Sequence, residues 1–203
     1  MLKAAIIYIP GSGGSFLRRV FSMSKNSIVD TPTNSVDLEE KFELFNYWNA
    51  ERWKMGENIV RPEFHSGSYE FYHYEHSDLD LVDAWHPTEF LSHEFTEQCW
   101  IKGAWQHLIF VNIGDARREF IERNQKTKSY QVNWAQEQEA MLELKQHYRN
   151  RSAELDFDDI VDSTRFENAV TRIDSKLALG LDLDLAIKLW SAWYNTSREV
   201  WTL

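Results

Sequence analysis

One cysteine, Cys99, stands among 203 residues. The chain therefore closes no internal disulfide and builds no cysteine-rich zinc site. Positive charge is scarce too: 22 Lys and Arg against 32 Asp and Glu leave a formal charge of −10. A general nucleic-acid binder needs a basic face, so no nucleic-acid partner is expected. An anionic small ligand needs only a local positive site and stays open. Long apolar runs are missing as well. The early run 4–10 falls far short of the roughly 20 residues of a membrane-spanning helix, and it lacks the small-residue cleavage site of a secretory signal. With a single cysteine, this predicts a protein of the reducing cytoplasm with no membrane partner. The hydrophobic share of 43%, a third of it aromatic at 14%, excludes a largely disordered chain. The length fits a single domain, 1–203, large enough to bury a core.

Residues 4–9 form a continuous apolar run, as in a strand buried on both faces. Residues 10–15 are a glycine and serine loop. Phe16, Leu17, Val20 and Phe21 then recur at helical spacing, with Arg18 and Arg19 between them. Leu38, Phe42, Phe45 and Trp48 put one stripe on a helix over 37–53. Residues 69–74 read as a strand or an aromatic loop. Residues 79–85 read as a strand that His86-Pro87 ends, because proline stops pairing. A short helix follows over 87–97. Residues 107–113 are the second strong strand, followed by a helix from 114 to about 126 with Asp115 as its N-cap. A polar helix over 134–148 turns Met141, Leu142 and Leu144 inward. Residues 155–160 suggest a short strand, and 165–179 a helix stopped by Gly180. The last helix, 183–201, carries Leu185, Leu189, Trp193 and Val200 on its stripe, with Trp190, Trp193 and Trp201 read as core. Strands alternating with helices predict an α/β domain with a mainly parallel sheet. Ligands of such sheets sit at the carboxyl ends of the strands, here after Ile9, Trp85 and Ile113.

A strand feeding a glycine turn and a helix makes an anion cradle. Glycine lets backbone N–H groups approach a phosphate, and the helix N-terminus adds partial positive charge. Gly11, Ser12, Gly13, Gly14 and Ser15 supply the turn, and the two serines add hydroxyl donors. Arg18 and Arg19 add charge one turn later. The loop lacks the lysine and spacing of G-x-x-x-x-G-K-[ST], which argues against an ordinary ATPase or kinase. In G-x-G-x-x-G register, Phe16 takes the third glycine, so a dinucleotide fingerprint fails as well. The alternative is a tight strand-to-helix turn without ligand.

The stretch Ile9-Pro10-Gly11-Ser12-Gly13-Gly14-Ser15-Phe16-Leu17 resembles the 5′-phosphosulfate loop of PAPS-dependent sulfotransferases, whose pattern is roughly Y-P-K-S-G-T-T-W-L. Leu108-Ile109-Phe110-Val111-Asn112 before a helix resembles the family's 3′-phosphate strand. Phe157-Asp158-Asp159-Ile160, a helix, then Leu177-Ala178-Leu179-Gly180-Leu181 is similar to its terminal pattern. The chain also looks similar to short sulfotransferase-like proteins of marine phages and bacteria. The resemblance implies a three-layer P-loop NTPase-like fold of the sulfotransferase type. It implies PAPS (3′-phosphoadenosine 5′-phosphosulfate) as donor and PAP as product. It implies a hydroxyl or amine acceptor on a small molecule, glycan or protein. Gly11 to Phe16, Arg19 and Asn112 would be cofactor contacts. Gly11 stands where the family has its lysine, a part Arg18 or Arg19 would take over. Arg117, Arg118 or Arg123 would meet the 3′-phosphate.

Five of the seven histidines fall in 65–93: His65, His73, His76, His86 and His93. A sulfuryl acceptor needs a general base, and histidine suits neutral pH. His86, just after a strand, is the first candidate and His76 the second; each has a surface histidine as its alternative. Without cysteine or an H-E-x-x-H helix, His73-x-x-His76 predicts no metal. Asp158-Asp159 reads as a capping pair. The rival function is a noncatalytic PAP- or nucleotide-binding protein with a degenerate fold of the same type.

Overall fold

The computed structural model describes residues 4–9, 12–26, 37–39, 42–43, 82–95, 106–119 and 133–201. Four strands form one parallel sheet among them: β1 (Ala4–Tyr8), β2 (Val82–Trp85), β3 (His107–Asn112) and β4 (Ser152–Asp156), in the order β2-β1-β3-β4. Their helices are α1 (Gly14–Phe21), α2 (Pro87–Phe95), α3 (Trp134–Tyr148), α4 (Phe157–Ile160), α5 (Ser163–Leu177) and α6 (Leu183–Trp201). Residues 115–119 begin a further helical turn.

Side chains alternate across a strand, and the two cores follow that alternation. Ala4, Ile6, Ile109, Val111, Ala153 and Leu155 face a layer made by α1, α4, α5 and α6. Ala5, Ile7, Leu108 and Phe110 face a layer made by α2 and α3. The central strands β1 and β3 are thus apolar on both faces, as the sequence pattern predicts. The outer strand β4 buries Ala153 and Leu155 and leaves Glu154 and Asp156 exposed.

Several boundaries differ from the sequence reading. The strand expected at 155–160 lies earlier, and Phe157-Asp158-Asp159-Ile160 is helical instead. Phe157 and Ile160 are both buried three residues apart, a helical rather than an alternating spacing. Leu142, expected inside, is 68% exposed, because Met141 and Leu144 already fill the α3 stripe. Helix α5 stops at Leu177 with Ala178 in the left-handed region (φ 53°); Gly180 follows two residues later at φ 70°. Gly114 rather than Asp115 precedes the helical turn after β3, its carbonyl accepting from the Arg118 amide at 3.0 Å. The expected strand at 69–74, residues 79–81, most of the helix at 37–53, and the ends of the helices expected to 97 and 126 lie outside the described residues.

The strand order fixes where the chain opens. From β1 the chain passes over the α1 face to β2 on one side. It then returns across the α2 face to β3 on the other. The connections leaving β1 and β3 therefore diverge, and a crevice forms outside their carboxyl ends, where open parallel sheets bind ligands.

Candidate anion-binding site

Helix α1 starts at that crevice. Beyond β1, the Ile9 carbonyl accepts from the Ser12 amide (3.1 Å) and the Ser12 hydroxyl (2.7 Å). Ser12 is fully buried, so its hydroxyl braces the turn instead of reaching outward, unlike the donor the sequence suggests. Gly13 then adopts φ 86°, ψ 13°, a left-handed conformation that costs a residue with a Cβ roughly 1–2 kcal/mol. Its carbonyl accepts from the amides of Phe16 and Leu17, both at 3.0 Å, which starts α1. The N-cap glycine has no side chain to cap this helix, and its first turn holds no acidic residue. Among the described residues, no backbone carbonyl accepts from the amides of Gly13, Gly14 and Ser15. These donors are the positive end of the helix dipole. Arg18 and Arg19, half-buried, follow about 6 Å further along the axis, and side chains on a helix lean back toward its N-terminus.

Packing, not capping, holds α1 in place. Phe16 is buried and stacks on Trp193 of α6, ring centroids 4.1 Å apart and 12° from parallel. Leu17 and Val20 are fully buried beside it. Phe16 is therefore an anchor of the loop helix. On the other side Trp190 donates from Nε1 to the Ile160 carbonyl at 2.7 Å, and Ile160 lies next to Gly13.

At the neighbouring strand end, His86 follows β2 and its ring meets Tyr8 edge-on, centroids 5.1 Å apart. Its carbonyl accepts from the Phe90 amide at 2.9 Å, making His86 the N-terminal cap of α2. The first turn of α2 is closed by a residue of α3. The Glu137 carboxylate accepts from the Thr88 amide (3.1 Å) and from the Thr88 hydroxyl (2.8 Å) while only 7% exposed. Sequence reasoning passed over Glu137 within a run of Glu and Gln. The signal was its place on the stripe of Trp134, Met141, Leu144 and Tyr148, where it is the single charged member.

The β3–β4 end is also closed from within. The Asn112 amide donates to Glu154 (2.9 Å) and Asp156 (3.0 Å), and Lys145 donates to Asn112 (2.7 Å) and Glu154 (2.6 Å). Hydrogen bonds from Lys145 and Asn112 hold the Glu154 carboxyl below its ordinary pKa. Asn112, expected to contact a cofactor, has both its amide hydrogens and its carbonyl engaged in this network. Arg117, 5% exposed, lies over the Phe157 ring at 4.4 Å, and burial lowers its pKa to about 10, still charged at neutral pH. Arg118 lies over Trp134 at 5.7 Å.

The structure thus brings Ser12, Gly13, Gly14, Phe16, Arg18 and Arg19 together at one strand end and sets His86 at the next. Gly11, His65, His73, His76 and Arg123 lie outside the described residues, as do the side chains of Ser15 and His93. Among the described residues, no group of three His, Cys, Asp or Glu could hold a metal, and no helix is long and apolar enough to cross a membrane. No family model and no curated protein matches the chain.

Proposed function

We propose that the chain is a sulfotransferase that moves a sulfuryl group from PAPS to a hydroxyl or amine, built on a P-loop-like variant of the α/β fold. The observation that supports this most is the uncapped start of α1 behind the left-handed Gly13, at the divergence of β1 and β3, with an imidazole at the adjoining strand end. The amides of Gly13, Gly14 and Ser15 would hold the 5′-phosphosulfate, with Arg18 or Arg19 supplying the charge that Gly11 lacks. Ser12 and Phe16 would shape and anchor the turn without touching the ligand. Arg117, a buried cation just beyond β3, would be available for the second phosphate. When bound, PAPS supplies an electrophilic sulfur with PAP as leaving group. The acceptor oxygen or nitrogen bonds to sulfur as the bond from sulfur to the phosphate oxygen breaks. PAP departs with that electron pair, and His86 takes the acceptor proton. Preorganised amides would stabilise charge on the departing 5′-phosphate of PAP, usually the largest catalytic contribution.

A second reading is a binding protein of the same fold that holds PAP without turnover. The glycine at position 11 favours it. The two are separated by PAP calorimetry and a screen of acceptors with radiolabelled PAPS. With an active acceptor in hand, His86→Ala should lose roughly 10²–10⁴-fold in rate and keep its PAP affinity. Full turnover by His86→Ala would remove the base assignment. Tight PAP binding with no acceptor sulfated would establish the binding protein, and no PAP affinity would end both readings.

A further inference from the structure

We infer that Tyr8 is a positioning residue: wedged between the first turn of α1 and the imidazole of His86, it sets where that imidazole stands relative to the glycine turn. Tyr8 is the last residue of β1, one position before the turn begins, and it packs against the α1 layer. On one side its ring lies so close to Gly14 that a Cβ there would fall onto its Cγ, Cδ1 and Cδ2. On the other side the His86 ring meets it edge-on at 75°, a favoured aromatic geometry.

These two contacts explain a glycine that backbone conformation does not. Among the described glycines, positive φ occurs at Gly13 and Gly180, not at Gly14. Position 14 could carry a side chain as far as its backbone is concerned; the Tyr8 ring is what forbids one. The glycine turn, Tyr8 and His86 therefore form one contiguous contact chain from the anion cradle to the neighbouring strand end. A displacement of the first turn of α1 passes through the ring to the imidazole. Conversely, the Tyr8 ring, lying between them, governs how near the imidazole can stand to the glycine turn.

The role of His86 as a base rests on the function proposed above; the contact chain does not. The test is proton NMR of the His86 imidazole in the full-length protein, its signals assigned by their disappearance in His86→Gln. Tyr8→Phe keeps the ring and should leave those signals in place. Tyr8→Leu should move them toward the positions of an exposed histidine. Gly14→Ala, which never touches His86, should move them too, or should lower the melting temperature. The double variant Gly14→Ala/Tyr8→Leu should melt above Gly14→Ala alone, because the obstructing ring is gone. Unmoved His86 signals in Tyr8→Leu, or a double variant no more stable than Gly14→Ala, would overturn the inference. If an acceptor is found, Tyr8→Leu should lower kcat and leave the KM for PAPS nearly unchanged. An equal loss in Tyr8→Phe would instead assign the effect to the phenol and overturn positioning by the ring.

Discussion

Helices α1 and α2 both begin at the carboxyl edge of the sheet, on opposite faces, and the first amides of each have no acceptor within their own helix. At α2 the protein answers with its own charge: Glu89 in the first turn and the buried Glu137 carboxylate on Thr88. At α1 the described residues offer nothing of the kind. The cap is a glycine without a side chain, the first turn has no acid, and the charged residues that follow are Arg18 and Arg19. The β3–β4 end resembles α2 in this respect, since Asn112, Lys145, Glu154 and Asp156 satisfy one another. Where the chain supplies its own anion, the terminus is structural. Where, among the described residues, it supplies none and holds the helix by packing instead, the terminus is the one the proposed function assigns to an outside anion.

The largest break in this comparison should come from the packing that stands in for a cap at α1. Phe16→Ala removes the ring stacked on Trp193 and should cost about 3–5 kcal/mol in a denaturant melt. An unchanged midpoint would show that α1 needs no such anchor. Next comes Glu137→Ala, which leaves the Thr88 amide and hydroxyl without their acceptor and should cost about 1–3 kcal/mol. Glu137→Gln, which still accepts, should recover part of that loss. A smaller change sharpens the contrast by making α1 resemble α2. Ser15→Glu places a carboxylate in the first turn of α1 and should stabilise the free protein by about 0.3–1 kcal/mol. The same variant should lose PAP affinity in calorimetry, so one substitution helps the fold and harms the site. Gain without loss of binding would detach the anion site from this terminus. A change of at most similar size is expected at the β3–β4 end. The Glu154 pKa is lowered on folding, so its stabilisation is present above about pH 4.5, the range of an ordinary glutamate, and fades as pH falls through the lower folded value. Glu154 is half-exposed and screened, which limits the change to about 1 kcal/mol. Acid titration of wild type and Glu154→Gln should differ by no more than this.

Much of the scaffold was legible because its signals are local. The unbroken apolar runs of β1 and β3 mark strands covered on both sides. The last helix was read to the residue from its stripe, and Pro87 marked the end of β2. What local pattern cannot carry is partnership across the chain. The stripe of α3 looked complete with Leu142 included, yet the buried member is Glu137, whose acceptor role depends on a threonine 49 residues away. Asn112 reads as a ligand contact at a strand end, and its partners Lys145, Glu154 and Asp156 come from other elements that no local pattern points to. Ser12 looked outward in a serine-rich loop, but the turn folds its hydroxyl back on Ile9. The strand at 155–160 failed for a different reason: on an outer strand only Ala153 and Leu155 are apolar, and the apolar signal resumes in a helix. In the site itself, the glycine turn was visible and the contact of Tyr8 with His86 was not, because they come from strands joined through the sheet.

The stacking of Phe16 on Trp193 also has a consequence in time. The two rings are separated by most of the chain, and contacts of such separation form only after the intervening loop has closed. Helix α1 packs on β1 from its own end of the chain, but the seat of Phe16 is complete only when α6 covers it. The glycine turn should therefore reach its final packing late, long after it has been synthesised. A ligand that prefers the finished cradle draws the population toward that final docking step by mass action. Tryptophan fluorescence in stopped-flow refolding, followed alongside ligand capture, should show both signals rising together.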